Sequence, residues 1–88
     1  MNAKDYLAHL HTLPCVVTFL LLGERVKSEV VHHPESVRDE LSHYAGIPMT
    51  DDWHKTLHRE SRRGFERMTK LTPIDLLAGT IKLLMEAK

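Results

Sequence analysis

The sequence predicts a small α+β domain, mostly helical, in the order α-β-β-α-α-α, with one two-stranded antiparallel hairpin packed on helices. Three observations carry this. Two β-rich runs, residues 15–22 and 25–31, flank Gly23-Glu24. Asn2, Pro34, Thr50 and Thr72 each open a segment whose apolar residues recur at helical spacing. A chain of 88 residues, 42 % hydrophobic, makes one domain, residues 1–88, with a thin core.

Asn2 is placed to cap a first helix, with Asp5 three residues on. Ala3, Tyr6, Leu7, Leu10 and Leu13 share one helical face, and Pro14 disfavours helix at Leu13. The hairpin comes next. Gly at the first central position of a two-residue loop suits a II′ turn, which sets Leu21 opposite Val26, Phe19 opposite Ser28 and Val17 opposite Val30. Cys15 then lies beside His32. A lone ribbon is marginal in water, so helices or a second sheet must cover it.

Pro34 suits the first turn of a second helix reaching Ala45, with Val37, Leu41 and Tyr44 as its apolar side, closed by Gly46 and Pro48. Thr50 caps the longest helix, with Asp51 and Asp52 in its first turn, where the helix dipole favours negative charge. Trp53, Leu57, Gly64, Met68 and Leu71 cluster on one face of it, with Phe65 on the shoulder. Thr72, Pro73 and Asp75 form a capping box for the last helix. Apolar positions cover about 220° of that helix at about 100° per residue, where a surface helix buries a stripe of about 100°. Ile74, Leu77, Ile81 and Leu84 are assigned to the core, which leaves Leu76, Thr80, Leu83 and Ala87 for the interface of a homodimer packed through this helix, through the hairpin edge, or both.

Formal net charge is zero, but the halves differ: residues 1–52 hold four basic and eight acidic residues, and residues 53–88 hold eight basic and four acidic. One cysteine excludes an internal disulfide, and no leader or membrane-spanning run is visible, so a cytoplasmic location is expected.

The candidate binding surface is the basic face of the long helix: Lys55, Arg59, Arg62, Arg63, Arg67 and Lys70. Arg59, Arg63 and Arg67 fall four residues apart, and each such like-charge contact costs a helix roughly 0.2–0.5 kcal/mol. An acidic partner relieves that repulsion. The expected function is therefore a small non-enzymatic protein-binding module: an adaptor, inhibitor or accessory regulator of bacterial or phage type. The alternative is a DNA-binding transcriptional regulator with a helix-turn-helix-like segment at 35–70, because clustered cations also meet phosphate. Asp51 and Asp52 at the start of its recognition helix weigh against it.

No catalytic residue and no cofactor is expected: no glycine-rich phosphate loop, paired carboxylates or activated nucleophile is recognisable. Among seven histidines, His54 and His58 lie one helical turn apart and could share a metal, but no glutamate lies between them and His32, His33 and Cys15 fall on another element. No metal site is therefore assigned.

Overall fold

In the computed structural model, which describes residues 2–34 and 39–87, the elements are α1 (Ala3–Leu10), α2 (Val16–Leu22), β1 (Val30–His32), α3 (Asp39–Tyr44), β2 (Ile47–Met49), α4 (Asp51–Thr69) and α5 (Pro73–Glu86). The predicted class holds: helices dominate around one two-stranded antiparallel sheet. Three capped starts fall where expected. The Asn2 side chain accepts from Asp5 N at 2.9 Å, Thr50 Oγ1 accepts from Trp53 N at 3.3 Å, and Thr72 and Asp75 form a reciprocal capping box.

The hairpin is not formed. Residues 16–22 are helix α2, and the sheet joins β1 to β2 in the register Val30 to Met49, Val31 to Pro48 and His32 to Ile47. A short run that is apolar at every position carries no period-2 signal, so strand and buried helix are indistinguishable by pattern alone. Context selects helix here. Gly23 adopts φ 71°, ψ 9°, a left-handed C-cap rather than the first residue of a II′ turn, and its N–H donates to Phe19 O at 2.9 Å. An isolated bridge joins Pro14 to Lys27, outside the expected register, which set Lys27 opposite Leu20. Cys15 N bonds Val26 O, so Cys15 and His32 are not cross-strand neighbours.

Of the expected second helix, residues 35–38, Val37 included, lie outside the described residues, and α3 begins at Asp39. Its Leu41 is exposed, and Tyr44 stacks on Tyr6 of α1 with ring centroids 5.3 Å apart. Gly46 follows α3 at a close approach: a Cβ there would sit 2.7 Å from Val31 Cγ1 and 2.9 Å from Leu10 Cδ1.

Helix α4 breaks phase at Ser61, whose φ 66° and ψ 170° lie in a region that is essentially glycine-only. The second half turns relative to the first. Phe65 and Thr69 thereby face the core, and Met68, expected inside, is 52 % exposed. Phe65 meets Trp53 edge-on at 5.9 Å across the bend.

Helix α5 is turned from the expected orientation: of the four residues assigned to the core, Leu77 and Leu84 pack partly buried against it and Ile74 and Ile81 do not. Leu76, Thr80 and Leu83 are buried within the single chain, while Ile74 and Ile81 are exposed. The reason is Gly79, buried on the same side: α2 packs there, with Leu20 Cδ1 2.9 Å from where a Cβ would stand. Thr80 enters the core at no orphan cost because its hydroxyl donates to Leu76 O at 2.8 Å. The core thus joins Leu10, Leu13, Cys15, Val16 and Val17 to Ile47, Met49, Phe65, Leu76 and Leu83.

Candidate functional site

The β1–β2 pairing sets the end of β1 beside the first turns of α4. Glu29 N donates to Met49 O at 2.9 Å, and its Oε1 accepts from Asp51 N at 3.1 Å, which ties the strand entrance to the helix start. His32, the last residue of β1, lies opposite Ile47. His54 and His58 project one turn apart from the straight first half of α4. The three rings meet edge to face. Centroids are 4.5 Å apart for His54–His58, 5.3 Å for His32–His54 and 5.7 Å for His32–His58. The Nε2 atoms of His54 and His58 are 3.0 Å apart, and one nitrogen from each of the three rings falls within 4.8 Å of the others.

Half-burial, and then the neighbouring His54, His58 and His33, lower the His32 pKa from its ordinary value to about 4. His54 is lowered by burial and by His58, against the Asp51 carboxylate. Both rings are neutral at neutral pH, and each then has one nitrogen able to accept a proton or a ligand. The consequence for stability has a definite sign. The unfolded chain binds a proton at His32 near pH 6.5, while the folded chain binds it only near pH 4. His32 therefore contributes stability above pH 6.5 that is lost as the pH falls toward 4. After discounting for the solvated half of the ring, the loss is about 1–2 kcal/mol. Urea midpoints should fall across this window, and H32Q should flatten the slope; an unchanged slope in H32Q would contradict the assignment.

His32 and His58 also line an open groove of about 670 Å³, with Ser61, Arg62, Phe65 and Glu66 along it. The groove runs along α4 past Ser61, against His32 and Pro34 on one side and Leu71, Pro73 and Leu76 on the other. Phe65, only 1 % exposed, supplies apolar wall. Arg62 and Glu66 supply charge at its edge.

The predicted basic face is divided by the same bend. Lys55 pairs with Asp51 at 2.8 Å and Arg59 with Glu60 at 3.0 Å, so the first half of α4 answers its own cations. Arg63, Arg67 and Lys70 surround a second, shallower depression of about 590 Å³, with Glu66 as its acidic member. Among the described residues, Arg62, Arg63, Arg67 and Lys70 form no ion pair. The expected stacking of Arg59 on Arg63 and Arg67 requires an unbroken helix, which Ser61 does not provide.

The other predicted sites are relocated. Leu76, Thr80 and Leu83 are unavailable to a second copy, and of the four interface positions only Ala87 is exposed. The segment between α3 and α4 is strand β2 and not a helix-turn-helix turn, and Leu41, expected on the apolar side of the preceding helix, faces solvent. No helix among the described residues is long and apolar enough to cross a membrane. Sequence reasoning found the His54–His58 pair but missed His32 as its third member. The one available signal was the i, i+4 spacing itself; the third ring depended on which strand lies against α4.

No protein-family model matches the chain, and neither does any curated protein or any solved structure.

Proposed function

We propose that the protein is a small non-enzymatic binding module, an adaptor, inhibitor or accessory regulator, that docks an acidic protein surface through the second half of α4. The observation that carries this reading is the group Arg62, Arg63, Arg67 and Lys70, exposed together and without ion-pair partners among the described residues. Arg63 and Arg67 are one turn apart and repel. A carboxylate-rich partner surface removes that repulsion and steers association. Glu66 is the one acidic side chain lining the depression with Arg63, Arg67 and Lys70, and it leaves the group with a net positive charge. A single, buried cysteine fits work in the reducing cytoplasm.

Capture from a native lysate tests the reading when it is run with and without nuclease. The expected catch is an acidic protein retained after nuclease and released by salt. Loss of the catch on nuclease treatment, with a gel shift on random duplex, would move the same cations to a nucleic-acid role.

A homodimer is part of this reading, relocated to the outer face of α5. Ile74, Ala78, Ile81 and Met85 recur at spacings of four, three and four, and all are exposed. That is the seam of a two-helix coiled coil. Sedimentation at high micromolar concentration should give twice the chain mass, and I81K should give one chain mass. A wild-type monomer under those conditions contradicts the dimer.

A further inference from the structure

We infer that His32, His54 and His58 form a binding site for one divalent transition-metal ion of the zinc class, with a coordination position open to the groove. The inference is independent of the docking surface.

Three imidazoles are brought together from two elements that are far apart in sequence. Their candidate ligand atoms already lie within 4.8 Å of one another, and two of them are 3.0 Å apart. Zinc–nitrogen bonds of about 2.0–2.1 Å in tetrahedral geometry place ligand nitrogens about 3.3 Å apart, so small side-chain rotations suffice. The scaffold holds the set. His54 and His58 share a regular stretch of α4, and His32 is fixed by its pairing with Ile47. Imidazole nitrogen suits zinc, cobalt, nickel and copper, and does not suit the oxygen-seeking calcium and magnesium ions.

The charge environment agrees with a cation. Asp51, which pairs with Lys55 at 2.8 Å, also acts electrostatically on His54 and favours positive charge there. Three protein ligands leave a fourth position for water or an incoming group, as at open zinc centres. Because His32 and His58 both line the groove, that position faces it, with Arg62 along the same groove. The second histidine pair, His33 and His43, has nitrogens 3.3 Å apart but is not part of any three-ligand group among the described residues.

The test is titration of chelator-treated protein with Zn2+ by calorimetry and with Co2+ by visible absorption. One ion per chain is expected, with the intense Co2+ band of four-coordinate geometry. H54Q and H58Q should each lose about tenfold or more in Zn2+ affinity, whereas H33Q/H43Q should retain it. His58 is exposed, so H58Q keeps the fold, and its far-ultraviolet circular dichroism checks this. The proposal is overturned by a stoichiometry well below one, by wild-type affinity in both H54Q and H58Q, or by an equal loss in H33Q/H43Q.

Discussion

R62E/R63E/R67E should lose partner binding by about a hundredfold or more while the fold stays intact. The expected size follows from sign reversal. Removing a rim cation weakens steering, whereas placing carboxylates against an acidic partner costs several kcal/mol in like-charge contact. The fold is spared because all three side chains are exposed and form no ion pair among the described residues. Surface substitutions of this kind usually move stability by less than about 0.5 kcal/mol. K55E/R59E is the informative control. Those two cations already have carboxylate partners in Asp51 and Glu60, so their reversal should cost far less binding. Isothermal titration of both variants against the captured partner measures the difference. Equal losses would mean that the bend at Ser61 does not partition the basic face.

The second large effect is on stability. F65A should cost about 3–5 kcal/mol, the range for removing a buried phenylalanine ring. Phe65 is 1 % exposed and is the largest fully buried side chain described. It joins the bent second half of α4 to the core, and it meets Trp53 edge-on at an interplanar angle of 82°. Aromatic pairs of this geometry add about 0.5–1.5 kcal/mol to the burial of area. A domain of this size is stable by only about 5–10 kcal/mol, so thermal unfolding should shift down by about 15–30 °C. F65L, which refills most of the volume, should recover the larger part. A loss below about 1 kcal/mol in F65A would show that the ring is not the anchor of the bend. M68A makes the complementary comparison: a residue the sequence places in the core should prove nearly neutral because it is half-exposed.

What the sequence made legible was its punctuation. Asn2, Thr50, Thr72 and Pro73 mark helix starts through local hydrogen bonds and a fixed φ, chemistry that acts within a few residues. Three helices were found that way. The stretch at 16–22 was misread because its choice between helix and strand rests on what covers it, and α5 covers it through the notch at Gly79. That single error had consequences. With a hairpin in place, α5 appeared to have no partner for Leu76, Thr80 and Leu83, and they were assigned to a dimer. With α2 in place they are the core, and the unpartnered stripe is Ile74, Ala78, Ile81 and Met85.

The sites were legible to the same extent. The six cations were visible as a helical face, but the division between paired and unpaired members depends on Ser61, a residue whose type gives no warning of positive φ. His54 and His58 were visible by spacing. His32 joins them through the pairing of β1 with β2, whose strands are separated by α3, and neither three-residue strand carries enough alternation to be read.

The docking account stands most directly on where a partner touches. A photo-activated cross-linker placed at Glu66, among the cations of α4, with a matched probe at Ile81 on α5, reads this in a native lysate. The account predicts a covalent adduct to an acidic protein from position 66, suppressed by R62E/R63E/R67E and unaffected by nuclease. An adduct to the same protein from position 81 alone, or one that persists undiminished through the charge reversal, would contradict it.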